Sequence, residues 1–315
     1  MNAIKEQLNF TLKDFELDSS IGEHYRGKVR DNYYFDDQML MVTTDRVSAF
    51  DHVLGTIPFK GQILTEIANF WFDKTRDIVP NHVISTPDPQ VLVSKKAQTL
   101  PVEIIIRKYI TGSLWREYSQ GINGQYGFML PDGLKENQEF SDPIVTPSTK
   151  AEYGQHDEPI SRDEIIKDLV PEDIYSKAED YALKLFHSGQ EWADKMGLIL
   201  VDTKYEFGLY NGELIVIDEI HTPDSSRYWI KDNYLDNFQN SRSQDMLDKE
   251  NIRQWLIDQG FKGEGTPPDL TDEIRILLSE KYIELYKKLI GKDFVPNVGD
   301  VKNRILTNLN EKSII

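Results

Sequence analysis

Asp202, Lys204 and Glu206 stand at every second position of LVDTKYEFG (200–208). In an extended strand alternate side chains share a face, so these three project together, backed by Val201, Thr203, Tyr205 and Phe207. Two carboxylates at contact distance repel by several kcal/mol at an effective dielectric of ~20, so a cation belongs between them. That cation is either Lys204, on the solvated face of an ordinary antiparallel sheet, or a Mg²⁺ held by hard oxygens with phosphate and water completing an octahedron. The hairpin alone leaves both open. Asn211-Gly212 turns the chain into ELIVIDEI (213–220). A two-residue loop sends Asp218 to the face opposite Glu206; a three-residue loop with Gly212 left-handed pairs Lys204 with Asp218. The second register also sets Ile215 and Ile217 against the apolar face. It is the expected one, and it gathers Asp202, Glu206 and Asp218 around Lys204.

Other groups suit anions. RGKVRD (26–31) is expected to set Arg26, Lys28 and Arg30 on one face of a strand beside Gly27. It reads as a phosphate clamp or as a basic strand face, since no full GxxxxGK[ST] pattern is present. RKYITGS (107–113) ends an apolar run in a small-residue turn whose N–H groups and hydroxyls suit a phosphate, or which simply caps a helix. SAFD (48–51) and TPDSSR (222–227) mix hydroxyl, carboxylate and guanidinium groups, as turns often do. The six histidines show no HExxH spacing, and neither GxSxG nor a strand-following GxGxxG occurs. Hydrolase and dinucleotide chemistries therefore have no support.

The elements that must position these groups are mixed. Residues 25–50 read as two strands joined at Asp36-Asp37, 61–73 as a helix, and PVEIIIRKYI (101–110) as a buried strand. Residues 121–160 are rich in glycine and proline and read as a long loop whose length points to function. An amphipathic helix spans about 171–196 with Ala178, Tyr181, Ala182, Leu185 and Trp192 on one face. The tail beyond about 240 is helical, with a break at GEGTPPD. Three segments are expected: a β-rich N-terminal lobe (1–98), a central lobe (99–235) and a helical C-terminal segment (236–315).

The 315 residues carry a net charge of −17 and no cysteine. Disulfides, thiolate zinc sites and a cysteine nucleophile are excluded, and a reducing cytoplasm is the expected location. No secretory signal or membrane-length apolar run is read from the chain. Nucleic-acid binding lacks its usual basic stripe. Anionic substrates remain possible only if cations converge locally, and Arg26, Lys28, Arg30, Arg107, Lys150, Lys204 and Arg227 are the candidates.

LPVEIIIRKYITGS (100–113) and LVDTKYEFG (200–208) resemble the two signature segments of the phosphoribosylaminoimidazole-succinocarboxamide synthase (SAICAR synthetase) family. RGKVRD, TTDRVSAFD, TPSTKAEYGQHDE and IDEIHTPDSSRYW agree in type and order, so the likeness spans roughly 20–290 and looks like the longer form of the family. It implies an α/β (α+β), two-lobed ATP-grasp or kinase-like fold with antiparallel sheets, ATP between the lobes, and a helical C-terminal segment. It implies that ATP, carboxyaminoimidazole ribonucleotide and L-aspartate give the succinocarboxamide, ADP and phosphate, through an acyl phosphate. By matching position, Lys28 and Arg30 would meet ATP phosphates, and the backbone of Pro101, Val102 and Glu103 the adenine. Glu206 and Asp218 would bind Mg²⁺, with Lys204 near the reacting carboxylate. Arg107, Ser113 and Arg227 would grip the ribonucleotide phosphate, with Ser48 and Asp51 near the imidazole. Ser225 departs from the glycine that some members carry in the PDGSR turn. A monomer is favoured over a homodimer. The rival readings are a small-molecule kinase of related fold and a non-catalytic nucleotide-binding module.

Overall fold

Strand–turn–strand patterning organises the start of the chain. The computed structural model describes residues 2–50, 52–150 and 157–315. One compact unit comprises residues 1–72, 82–96 and 247–315, and the other 73–81 and 97–246. In the first, helix α1 (Asn2–Gln7) precedes β1 (Glu23–Arg26), β2 (Arg30–Phe35) and β3 (Gln38–Thr43). Phe35 pairs with Gln38, so Asp36-Asp37 is the turn expected from sequence, with Asp36 at φ 48°. The short ladder of β4 (Arg46–Ala49) and β5 (His52–Thr56) leads to α2 (Lys60–Lys74). β6 (Val83–Asp88) and β7 (Val91–Lys95) complete an antiparallel sheet in the order β1-β2-β3-β7-β6. RGKVR is thus a hairpin turn, not one strand face. Arg26 pairs with Asp31 at the end of β1, and Gly27 N–H donates to the Arg30 carbonyl at 2.8 Å, closing the turn.

The second unit is built on β8 (Gln98–Tyr109), which runs into α3 (Gly112–Ser119). There follow β9 (Glu139–Val145), β10 (Ser148–Thr149), α4 (Arg162–Asp168), α5 (Glu172–Lys195), β11 (Leu198–Tyr210), β12 (Glu213–Ile217), β13 (Ser226–Ile230) and α6 (Lys231–Gln239). The sheet order is β10-β8-β11-β12, with β9 also on β8 and β13 also on β11. Residues 121–160 are therefore not all loop: β9 covers DPIV, and Pro143 is tolerated because among the described residues β9 pairs with β8 alone. α5 buries Ala178, Ala182, Leu185 and Phe186 at helical spacing and packs on β11.

The chain then returns to the first unit. α7 (Glu250–Asp258) and α8 (Asp272–Ile290) bring Ile252, Leu256 and Leu278 to a core with Val47 and Ala49. α9 (Val301–Glu311) lays Val301, Ile305 and Leu309 against Tyr33, Leu40, Val42 and Val91. Arg304 clamps both oxygens of buried Asp88, at 2.9 and 3.0 Å. No helix among the described residues is long and apolar enough to cross a membrane.

Candidate active site

β11 is the middle strand of the second unit, and its two faces divide as the alternation predicts. Val201, Thr203, Tyr205 and Phe207 are buried against the core. The polar face is not a solvated one, because Asp202 and Glu206 are only 4% and 6% exposed. Buried carboxylates need partners. Register supplies them from the neighbouring strands.

Glu206 lies directly opposite Glu103 of β8, a like-charge pair that would be unfavourable alone. Lys204, two residues away on the same face, resolves it: Nζ donates to Glu103 Oε1 at 2.7 Å and to Glu206 Oε1 at 3.0 Å. Lys150 donates to the other oxygen, Glu206 Oε2. Burial alone would raise the Glu206 carboxyl, but Lys204 and Lys150 together outweigh it and hold it well below the usual range. Burial would likewise depress Lys204, yet Glu206, Glu103 and Asp218 raise it well above its ordinary value. Glu103 moves the other way, raised by burial more than Lys204 lowers it. Lys150 is raised against its own desolvation by Glu206 and Asp218.

Asp218 reaches this cluster by a route the sequence did not disclose. Glu206 pairs with Ile217 and Tyr210 with Glu213, so the loop is the two-residue Asn211-Gly212, and the expected three-residue register is overturned. Asn211 and Gly212 both take positive φ, 51° and 80°, as a type I′ turn requires. Strict alternation would then send Asp218 away from Glu206. Instead β12 ends at Ile217, and Asp218 takes a left-handed φ of 65°, which breaks the alternation; its charge acts on both Lys150 and Lys204. Glu206 and Asp218 are hard oxygen donors of the kind Mg²⁺ accepts when phosphates and water complete its shell. Among the described residues, no three carboxylate or histidine side chains form a ready-made metal cage.

Asp202 does not belong to the lysine cluster, contrary to expectation. It pairs across β11 with Arg107 of β8 on one side and Arg227 of β13 on the other. Arg107 Nη1 donates to Asp202 Oδ2 at 3.2 Å, and Arg227 Nη1 donates to the same oxygen. Arg107 also donates Nε to Thr146 Oγ1 at 2.8 Å and Nη2 to Ser113 Oγ at 3.4 Å. Gly112 has φ 61°, and a Cβ there would sit 2.4 Å from Arg227 Nη2, so only glycine lets the start of α3 close on that guanidinium. Arg107, Ser113 and Arg227 are thus brought together as the sequence anticipated, around an Asp202 it had assigned elsewhere. Ser225 takes no positive φ, and its carbonyl accepts the Lys204 N–H at 3.0 Å, so the departure from glycine leaves the turn in place.

The backbone of Val102 and Glu103 is paired on its outer edge with Thr149 and Ser148 of β10. Glu103 also pairs with Glu206 on the inner edge, and the Pro101 carbonyl accepts the Lys150 N–H at 3.0 Å. In the first unit, exposed Lys28 sits in the hairpin turn and Arg30 opens β2. Ser48 is buried on β4 and accepts from Lys249 Nζ at 3.4 Å. Asp51 lies outside the described residues. The sequence reading overlooked Arg46, which is wholly buried under that hairpin turn; its one available signal was a charge opening the otherwise uncharged RVSA strand.

Three comparisons bear on this arrangement. The family model described as SAICAR synthetase matches residues 23–268. The phosphoribosylaminoimidazole-succinocarboxamide synthase of Cytophaga hutchinsonii is 48% identical over 314 residues, covering 98% of this chain and 99% of that protein. Among solved structures, the SAICAR synthase of Saccharomyces cerevisiae complexed with SAICAR has a TM-score of 0.79 at 36% identity, covering 90% of this chain and 99% of the yeast chain. A type-2 SAICAR synthetase in complex with ADP has a TM-score of 0.66 at 26% identity, covering 87% and 100%.

Proposed function

Because the chain belongs to the SAICAR synthetase family, the ATP-dependent ligases of purine biosynthesis, we propose that it joins L-aspartate to the carboxylate of carboxyaminoimidazole ribonucleotide. The observation that carries the reading is a charge pattern on one strand face. Arg107, Asp202 and Arg227 form a row of net charge +1, and Glu103, Glu206 and Asp218 with Lys150 and Lys204 form a cluster of net charge −1. Asp202 and Glu206 are four residues apart on β11, about 13 Å along a strand. The first row suits a phosphate dianion and the second a divalent cation, so one strand orients a phosphorylated substrate towards a phosphoryl-transfer centre.

A carboxylate is a poor acyl donor because its leaving group would be oxide. In the proposed sequence, a substrate carboxylate oxygen attacks the γ-phosphorus of ATP; an O–P bond forms and the bond to ADP breaks. The aspartate amine then attacks the acyl phosphate carbon. A C–N bond forms, the C–O bond to phosphate breaks, and the proton lost by the amine passes to the departing phosphate or to water. Glu206 and Asp218 would hold Mg²⁺, which supplies charge neutralisation on the phosphates when bound. Lys204, pinned by Glu103 and Glu206, keeps its positive charge beside the reacting carboxylate. Arg107, Ser113 and Arg227 grip the ribonucleotide phosphate, bidentate recognition being the strength of guanidinium. In the first unit, Lys28 and Arg30 meet ATP phosphates, and Ser48 and Asp51 serve the imidazole. Adenine contact at Pro101, Val102 and Glu103 competes with the pairing that β10 already makes there. The same reading makes the protein a cytoplasmic monomer, which sedimentation equilibrium tests for oligomeric state.

The deciding assay is ADP release. It should require both the ribonucleotide and aspartate. ADP formed with an alcohol acceptor alone would replace the ligase with a kinase, and no ADP under any condition would leave a nucleotide-binding module.

A further inference from the structure

Arg46 is 0% exposed on β4, a strand whose four residues are all buried. A guanidinium has five N–H donors, and here all five are used. Two form a fork on Asp31, Nη2 to Oδ1 at 2.8 Å and Nη1 to Oδ2 at 3.0 Å. The other three go to backbone carbonyls: Lys13 at 2.6 Å, Gly27 at 3.0 Å and Lys28 at 3.2 Å. Thr44, two residues earlier, captures the next carbonyl, that of Val29, through both its N–H and its hydroxyl. Three successive carbonyls of the turn are therefore drawn inward. A trans peptide sets each N–H opposite the preceding carbonyl, so the N–H groups of Lys28 and Val29 are turned away from the guanidinium, to the outer side of the turn. Outward N–H groups beside a lysine are what an anion cradle needs.

From this we infer that Arg46 is a positioning residue for ATP. Working from beneath, it fixes the 26–30 turn in the orientation that presents Lys28 and its neighbouring N–H groups to phosphate. The inference rests on the reading of Lys28 as a phosphate contact. A bond to Asp31 alone would be satisfied by any cation, whereas the carbonyl bonds need the planar fork, so Lys is not an equivalent at this position.

Arg46→Lys keeps the charge for Asp31 and loses the fork. Folded variant, checked by circular dichroism, should show a KM for ATP raised about tenfold or more, the scale of one lost charge-assisted hydrogen bond. KM for aspartate and for the ribonucleotide should stay within about twofold, a split that general loosening of the fold would not produce. Lys28→Ala should raise the same constant, and adding Arg46→Lys to it should cost little more, because Arg46 acts through the turn. If R46K does not fold, Thr44→Val, which removes only the hydroxyl bond to Val29, should raise KM for ATP in the same direction. A folded R46K or, failing that, T44V with unaltered KM for ATP overturns the inference, as does full additivity with K28A. A normal KM for ATP in K28A would instead overturn the Lys28 reading itself.

Discussion

Gly112→Ala should strike the ribonucleotide grip with little collateral damage. At φ 61°, alanine costs about 1–2 kcal/mol in the left-handed region. The new methyl would sit 2.4, 2.7 and 2.9 Å from Nη2, Cζ and Nη1 of Arg227. Non-bonded heavy atoms settle near ~3.5 Å, so the guanidinium must retreat by about 1 Å. It is the end of a flexible side chain and can move without displacing backbone, which confines the steric effect to the position of that one group. Asp202 keeps its bond to Arg107 and remains compensated. Stability should therefore fall by only the backbone term, a melting shift of about 2–4 °C. Binding should suffer more. Losing one charged hydrogen bond to phosphate is worth about 1.5–3 kcal/mol, or roughly 10- to 150-fold in affinity. The assay is ADP release against ribonucleotide concentration at saturating ATP and aspartate, with the KM for ATP measured alongside. A variant that melts as expected but retains the parental KM for the ribonucleotide would refute the assignment of Arg227 and Gly112 to the phosphate.

Glu206→Gln removes the carboxylate shared by Lys150 and Lys204. Turnover should drop by orders of magnitude, and stability should fall by on the order of 3 kcal/mol at neutral pH, since one of the two oxygens that the ammoniums share becomes an NH2 donor facing a cation. Because the Glu206 carboxyl is depressed in the folded state, its contribution is present above the ordinary value of 4.5 and fades as pH drops below it. Denaturant unfolding should show the parent losing stability on that acid limb and the Gln variant lacking this part of the loss; coincident limbs would contradict the pairing. His221 is buried and accepts or donates at 2.6 Å with the Tyr205 hydroxyl; burial pushes it from 6.5 down to about 3. The unfolded chain takes up that proton first, so the folded state should weaken by roughly 1.4 kcal/mol per pH unit as pH falls from 6.5 towards 3. His221→Gln should flatten this dependence, and an equal slope between pH 6.5 and 5 in parent and variant would dispose of the argument.

What could be read from the chain was what depends on near neighbours. The period-two pattern of 200–208 identified both faces of β11, and Asn-Gly marked the hairpin. The register failed for a physical reason: Leu214, Ile215 and Val216 are all buried, so β12 has no polar face to fix its phase. The turn chemistry of Asn211-Gly212 was the better guide. Asp218 needed knowledge of a single left-handed residue, which ordinary side chains adopt too rarely to be anticipated. Asp202 and Arg46 were missed as partners because their contacts are set across strands. Asp202 meets guanidiniums 95 and 25 residues away, and Arg46 meets carbonyls 18, 19 and 33 residues away. No local spacing encodes such distances.

A chain of net charge −17 has to hold cations still if it is to receive anionic substrates, and the second unit does so by spending carboxylates as ligands for its own positive groups. Arg107 and Arg227 share one oxygen of Asp202; Lys204 bridges Glu103 and Glu206. Each arrangement fixes a side chain before substrate arrives, so less rotamer entropy is lost on binding. The arrangements differ in what they leave over. One carboxylate cannot neutralise two guanidiniums, so the arginine row keeps an appetite for an anion. Two ammoniums, Lys204 and Lys150, cannot neutralise the three carboxylates Glu103, Glu206 and Asp218, and the lysine row keeps an appetite for a cation. Glu103 is its adjustable member, because burial raises its carboxyl while Glu206 is held ionised. Replacing Asp202 by lysine or Lys204 by aspartate would preserve the alternation of the strand but leave three like charges side by side, without the central partner that holds them still. Function at this face therefore lies in the ratio of opposite charges within each row, a property that the strand's period permits but does not specify.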